Sequence, residues 1–496
     1  MTTTWPKAVH SAAQTRAIDA AIIAQGVSGP QLMQRAAEAV WAELQARWPH
    51  VGQLTVLCGK GNNGGDGFLV ARLALLAGWK VRVLSLFDRA EFGGDALQAL
   101  RAAAEAGVSI DTWQPGAELD GVVLDAMLGT GLQGQVREPF SVAISALNAS
   151  GVPVVSVDIP SGLDADTGQV LGAAVKAALT VTFITLKPGL LTAAGPDQTG
   201  ELVFAGLAAL PPGMPKPALE RLLLADWASA LPSRPRAAHK GLFGHVVLVG
   251  GDRGMGGAIM LAAEAALRSG AGRVSVATRP EHVAPLLSRC PEIMALAIEE
   301  AEEAGILLAR ADTLVIGPGL GRSEWSQQLC ELAMAADAPK VLDADALNIL
   351  AESVDGHLWL CDRDIITPHP AEAARLLGLK TVQVQADRVQ ALRSLVERFG
   401  CAVVLKGVGS LVAAAGDQGQ PPGICTFGNP GMATAGMGDV LSGVAGALLA
   451  QGLPAGQAAR YAVLVHALAG DTAAHGDHRG LLAGDLMMPL RHWLNA

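Results

Sequence analysis

Several things are scarce in this 496-residue sequence. Aromatic residues make up 4 % of it, although half of the chain is hydrophobic. Alanine, leucine and valine supply most of that half. No stretch runs to eighteen apolar residues without glycine or charge, which excludes the usual helical membrane span. The start, Met1-Thr2-Thr3-Thr4-Trp5-Pro6-Lys7, lacks a basic segment followed by an apolar core, so no secretory signal is expected. The six cysteines are far apart and form no CxxC pair, which predicts reduced, mostly buried thiols and a cytoplasmic home. A net charge of -10 with no basic cluster argues against a general nucleic-acid binder. An anionic ligand would need backbone donors.

Glycine is abundant, and it falls in a few dense clusters. The stretch Asn429-Pro430-Gly431-Met432-Ala433-Thr434-Ala435-Gly436-Met437-Gly438-Asp439 stands directly before the apolar, helix-like run that begins at Val440. Free N–H groups and the positive end of a helix dipole favour an anion there. A carboxylate beside such a hole can deprotonate a hydroxyl that attacks phosphorus. The competing reading is a glycine-rich turn with Asp439 as a helix cap. This stretch alone weighs the two evenly.

The length predicts two or three domains. In the first half two helices are expected between Ala13 and Arg47. A strand at Gln53 to Cys58 leads into the glycine loop Gly59-Lys60-Gly61-Asn62-Asn63-Gly64-Gly65-Asp66-Gly67, and a helix is expected from Phe68 to Ala77. The loop matches neither GxGxxG nor the P-loop. Further strands are expected at Lys80 to Leu86, Gly121 to Ala126 and Val152 to Asp158, with helices between them, which indicates a doubly wound parallel sheet. Ligands bind at the carboxyl ends of such strands. Asp125 and Asp158 each end one, and each is equally readable as a turn cap.

The set Asn62-Asn63-Gly64-Gly65-Asp66, Asp125 with Gly129-Thr130-Gly131, Asp158-Ile159-Pro160-Ser161-Gly162-Leu163-Asp164 and Lys187-Pro188-Gly189-Leu190 resembles the NAD(P)HX epimerase domain, also called the YjeF N-terminal domain. The resemblance covers about residues 10 to 210. It implies that Asn62, Asn63, Gly64, Gly65 and Asp66, with the loop Gly129-Thr130-Gly131-Leu132-Gln133-Gly134, hold the hydrated nicotinamide nucleotide, with Asp158 against it as the candidate acid/base group. It also implies that Asn63, Asp125 and Ser161 supply oxygen ligands to K+. One departure lies at Leu32-Met33-Gln34-Arg35-Ala36-Ala37, where the family usually has a glutamate after the methionine and a glycine at the end.

Leu210-Pro211-Pro212-Gly213-Met214-Pro215-Lys216-Pro217 interrupts both periodicities and is the expected domain boundary, giving domains 1–212 and 213–496. The cluster Pro232-Ser233-Arg234-Pro235-Arg236 follows. Strands are then expected at His245 to Val249, Arg273 to Ala277, Asp312 to Ile316 and Cys401 to Leu405. They end in Gly250 to Ala258, Gly317-Pro318-Gly319-Leu320-Gly321 and Lys406-Gly407-Val408-Gly409-Ser410, while Lys340 to Leu342 runs into Asp343-Ala344-Asp345 and Ile365-Ile366 into Thr367-Pro368-His369-Pro370. Asp343 and Asp345 are readable as Mg2+ ligands or as caps of the next helix. His369 alone is more readily a loop histidine than a ligand contact, and Lys406 alone is readable as a solvated strand-end lysine.

Together with His239-Lys240-Gly241 and Asn429 to Asp439, these motifs resemble the ADP-dependent NAD(P)HX dehydratase of the ribokinase-like superfamily, from about residue 220 onward. The resemblance implies that Ala258, Gly319, His369 and Asp439 contact the hydrated nucleotide. Lys406, Gly407, Val408, Gly409, Ser410 and Gly438 would contact the adenine nucleotide, with ADP as co-substrate, Mg2+ in this domain and Asp439 taking a proton. Ala371 and Met437 depart from the usual glycine and serine. The two halves therefore resemble one bifunctional repair enzyme with NADHX, NADPHX and ADP as its partners, with neither nucleic acid nor membrane, and with a homo-oligomer expected. The rival within enzymes is a ribokinase-like vitamin-precursor kinase that shares the anion hole. The fused first domain and the His369 motif speak against it. A second rival makes the first domain a binding scaffold, which Asn63, Asp125 and Asp158 together disfavour.

Overall fold

A computed structural model describes residues 5–227, 230, 231, 233–417 and 419–495. Met1–Thr4 and Pro232, on which two of the readings above touch, lie outside them. The chain divides into two compact units, Met1–Leu219 and Glu220–Ala496. The proline-rich segment Leu210 to Pro217 immediately precedes that division.

In the first unit, the short strand β1 (Ala8–Val9) precedes β2 (Gln53–Cys58), β3 (Lys80–Ser85), β4 (Ser109–Thr112), β5 (Val122–Ala126), β6 (Val154–Val157), β7 (Leu179–Phe183) and β8 (Glu201–Ala205). The last seven form one sheet in the order β4-β3-β2-β5-β6-β7-β8, parallel throughout. The reversal of order beside β2 opens a crevice at the carboxyl ends of β2 and β5. Buried valine and leucine side chains of these strands cover both faces with separate apolar clusters, as a two-sided sheet requires. Helices Ala12–Ala24 and Gly29–Arg47 each begin with a capping box, from Ser11 with Gln14 and from Ser28 with Gln31.

One sequence expectation changes here. The helix expected from Phe68 starts at Asn62, so Asn62 to Gly67 is its first turn and a half rather than a loop. The glycines serve close packing: a Cβ on Gly64 would lie 1.9 Å from the Gly59 carbonyl oxygen, and one on Gly67 would lie 2.5 Å from Cβ of Ala126. Only side-chain-free backbone fits between helix and sheet at this depth.

In the second unit the strands are β9 (Leu219–Arg221, beginning at the last residue of the first unit), β10 (His245–Val249), β11 (Arg273–Thr278), β12 (Met294–Ala297), β13 (Thr313–Ile316), β14 (Lys340–Leu342), β15 (Ile365–Ile366), β16 (Ala402–Leu405), β17 (Ser410–Ala414) and β18 (Gly423–Cys425). Their order is β9-β18-β17-β16-β15-β14-β13-β10-β11-β12. The run from β16 through β15, β14, β13, β10 and β11 to β12 is parallel, and β17 is antiparallel to both neighbours. Helices Gly256–Arg268, Met437–Ala450 and Ala455–Ala474 share an alanine-rich core with one sheet face. Small residues let them come close: a Cβ on Gly443 would lie 2.0 Å from the Ala262 carbonyl oxygen. Among the described residues no helix is long and apolar enough to cross a membrane.

Candidate active sites

In the first unit a cleft of about 630 Å³ opens at the carboxyl ends of β2, β5 and β6. Asn62, Asn63 and Asp66 line it from the helix start, and Gly129, Thr130, Gly131, Leu132 and Gln133 from the loop after β5. Gly64 and Gly65 do not; they are buried where the helix packs, and a Cβ on Gly65 would lie 2.6 Å from Met33. Gly134 also lies outside the lining.

Asp158 follows β6 with a φ of 66°, a left-handed conformation that aspartate tolerates better than most residues. Its Oδ1 accepts hydrogen bonds from Phe183 N at 3.0 Å, Thr182 Oγ1 at 3.2 Å and Lys187 Nζ at 2.5 Å. The Lys187 side chain is 1 % exposed and also donates to Thr182 Oγ1 and the Phe183 carbonyl, both at 2.9 Å. Both charged groups line the cleft. Nearby, burial pushes the Asp66 carboxyl well above the usual carboxylate range, reinforced by the charges of Asp158 and Asp19.

Asp125 is fully buried. It accepts from Ser161 N and Ser156 Oγ at 2.8 Å, from Ser161 Oγ at 2.5 Å and from Met127 N at 3.4 Å. All these donors are neutral. Burial raises its pKa and the hydrogen bonds oppose the rise. Asn63 packs against the loop after β5, since a Cβ on Gly129 would lie 3.4 Å from that of Asn63, and its Nδ2 is buried without a hydrogen-bond partner. A buried carboxylate among neutral donors, with the Ser156 and Ser161 hydroxyls on it, fits a weakly held monovalent cation in donor chemistry.

In the second unit the candidate residues converge where β14, β15 and β16 end. Lys406 Nζ lies 2.6 Å from Asp343 Oδ1, and Ser442 Oγ donates to Asp343 Oδ2 at 2.6 Å. Against the raising effect of burial, Lys406 beside it and these hydrogen bonds hold the Asp343 carboxyl below its usual range. Asp345 plays a different part, because its Oδ2 accepts Gly321 N at 2.8 Å and so fastens the loop after β13. Gly317 approaches too closely for any side chain, since a Cβ there would lie 1.8 Å from the Asp343 carbonyl oxygen. Gly319 has a φ of 59°, and a Cβ on it would lie 3.2 Å from that of Ala258. Among the described residues no cluster of side chains forms a divalent-metal cage; Asp343 is already neutralised by a lysine.

Asp439 stands at the third position of helix Met437–Ala450, whose cap is Gly436 with a φ of 93° and no side-chain cap bond. Asp439 is therefore not the cap. Burial and then Asp343 push its pKa up to about 6, against the pull of Lys406. Gly438 lies directly over the ion pair: a Cβ there would be 3.3 Å from Lys406 Nζ and 3.4 Å from Asp343 Oδ2. Beyond Lys406 the backbone turns at Gly407 (φ 134°) and Gly409 (φ 64°), and Ser410 Oγ closes it onto the Gly407 carbonyl at 3.0 Å. Val408 at its tip is exposed. His369 caps helix Pro370–Leu377, with Nδ1 accepting from Ala371 N at 3.1 Å. Met437 is buried in the helix core.

The residues match known families in the same two halves. The family described as YjeF-related protein N-terminus matches residues 29–189, and the one described as NAD(P)H-hydrate dehydratase matches residues 246–491. A bifunctional NAD(P)H-hydrate repair enzyme of Coxiella burnetii is 46 % identical over 97 % of this chain and 98 % of its own length. The chain belongs to the bifunctional NAD(P)H-hydrate repair enzyme family. The Escherichia coli member is 42 % identical over 95 % of this chain and 90 % of its own. A ribokinase-like superfamily protein of Enterococcus faecalis is 31 % identical, covers 56 % of this chain and 96 % of its own, and superposes with a TM-score of 0.50.

Within this repair-enzyme chain, sequence reasoning gave no role to Lys187, Glu372 or Ser442. A lysine inside the otherwise uncharged run from Leu179 to Leu191 was a signal for the first. For Ser442, in a helix of small residues, there was none, since its partner Asp343 is 99 residues away.

Proposed function

We propose that the chain restores hydrated nicotinamide cofactors in two steps, with residues 1–212 interconverting R- and S-NAD(P)HX and residues 213–496 dehydrating the S form with ADP. Asp439 carries this reading: a carboxyl with a pKa of about 6, at the N–H end of a helix, is ionised at neutral pH and stands beside an anion hole. Asp439 takes the proton of the C6 hydroxyl, whose oxygen attacks the β-phosphorus of ADP, and AMP leaves. The ring nitrogen's lone pair then expels phosphate from C6, and loss of a C5 proton gives NAD(P)H. N–H groups of Ala435 to Gly438 stabilise the phosphoryl group in transit, and Lys406 to Ser410 hold the adenine nucleotide. His369, Gly319 and Ala258 hold the hydrate. Magnesium, when present, arrives with the nucleotide phosphates, since Asp343 is engaged by Lys406 and Asp345 by Gly321.

In the first domain Asp158 removes the C6 hydroxyl proton, the N1–C6 bond opens, and reclosure on the other face inverts the centre. Lys187 orients Asp158, while Asn62 to Asp66 and Gly129 to Gly134 hold the nucleotide. Asn63, Asp125 and Ser161 hold K+, whose charge would offset the buried carboxylate. One experiment tests both halves: an R/S mixture of NADHX is incubated with the full chain and ADP or ATP, following NADH by absorbance and the nucleotide by chromatography. Full recovery of NADH with stoichiometric AMP and phosphate from ADP is expected. Recovery of only half the hydrate would remove the epimerase, and turnover without nucleotide would remove the phosphoryl-transfer step.

A further inference from the structure

Glu372 is 5 % exposed, at the third position of helix Pro370–Leu377. Its Oε2 accepts His369 N at 2.8 Å and lies 3.8 Å from Lys406 Nζ; its Oε1 lies 3.3 Å from His369 Nε2. Nδ1 accepts from Ala371 N and Glu372 N, so the proton of the neutral imidazole sits on Nε2, which lies within ion-pair range of Glu372 without a hydrogen bond to it. Half of the His369 side chain remains exposed. A capping-box carboxylate needs only the bond to the cap N–H and ordinarily sits in water. This one is buried between a histidine and a lysine from different strand ends.

We propose that Glu372 is a positioning residue that holds His369 and Lys406 in one arrangement, so that the hydrate and nucleotide subsites assemble together. The proposal rests on the dehydratase reading above. Burial raises the Glu372 carboxyl to about 7, countered by Lys406 and reinforced by Asp343, with His369 N and Arg375 also lowering it. Lys406, Asp343, Arg375 and the His369 imidazole are the charged and titratable groups around it. The ionised form grips Lys406 and His369 and is the one that prevails above about pH 7.

Glu372→Gln separates positioning from structure, because a glutamine oxygen still accepts from His369 N and keeps the helix cap. In the full chain, KM for S-NADHX and KM for ADP are both expected to rise about tenfold, with a smaller fall in kcat. The acid limb of kcat/KM in the unaltered chain should involve two protons, and in the variant one, near the Asp439 value. Unchanged KM values and an unchanged limb would overturn the proposal. If the variant melts far below the parent, the parent's own profile decides: KM values for hydrate and ADP that stay flat between about pH 6 and pH 8 overturn it. Should the parent fail to turn over the hydrate, the function above falls separately. Calorimetric binding of ADP then decides the inference, a tenfold weaker Kd in Glu372→Gln supporting it and an equal Kd rejecting it.

Discussion

Each unit buries a lysine against an aspartate at the end of a parallel strand, and the two pairs are arranged in opposite ways. In the first, Lys187 is enclosed and its partner Asp158 is the member that faces the candidate substrate. In the second, Asp343 is enclosed, with its side chain 2 % exposed against 20 % for Lys406. The cation is there the more exposed member, and the carboxylate proposed to take the proton is a separate one, Asp439. In the proposed reading the first pair leaves a carboxylate facing the hydrate, and the second leaves a lysine, held ionised by its own counter-charge, for the nucleotide phosphates.

Asp439→Asn is the sharpest way to separate the two sites, and a loss of at least about a thousandfold in ADP-dependent dehydration is expected. Epimerisation, read by chromatography of the two hydrates, should be unaffected. In the parent, the Asp439 step of the rise in dehydration with pH should fall near 6, below the step assigned to Glu372. The stability sign is the reverse: a raised carboxyl pKa gives stability that is present below the ordinary carboxylate range and is lost as pH rises through about 6. The asparagine variant should therefore melt no lower than the parent at neutral pH, as calorimetry would read.

Lys187→Met should lower epimerisation about a hundredfold and destabilise the first unit by about 3 kcal/mol, because it strips a buried partner from Asp158. Dehydration of purified S-NADHX should be retained. Equal losses in both activities would mean that the two pairs do not act separately. The smallest effect is expected from Gly438→Ala, whose methyl meets Lys406 Nζ at 3.3 Å and Asp343 Oδ2 at 3.4 Å. A rise of about fivefold in KM for ADP, with the KM for the hydrate nearly constant, would place Gly438 on the nucleotide side of the pair.

Strand positions were legible because two-sided parallel strands read as short apolar runs, and β2 and β10 begin and end where the sequence puts them. Helix beginnings were less so. Asn62 to Gly67 looked like a loop because the segment from Gly59 to Gly67 is dense in glycine, which elsewhere signals flexibility. Here Gly64 and Gly67 instead let a helix lie on the sheet. For Asp439, the reading as a helix cap could be set aside only once Gly436 was found to be the cap.

Residue type and local order, read along the chain, carried the family motifs, the parallel strands and the strand-end positions of Asp125, Asp158, Asp343 and Lys406. Hydrophobic runs and glycine clusters are local properties. The pairing of Lys187 with Asp158, of Lys406 and Ser442 with Asp343, and of Glu372 with both His369 and Lys406 was decided by the fold. These contacts join strand ends and helix starts 3 to 99 residues apart, and the energy of a buried charge depends on which neighbours the fold supplies. The same physics explains Asp439: its sequence neighbours are glycine, methionine and valine, and the carboxylate and lysine that tune it arrive from β14 and β16.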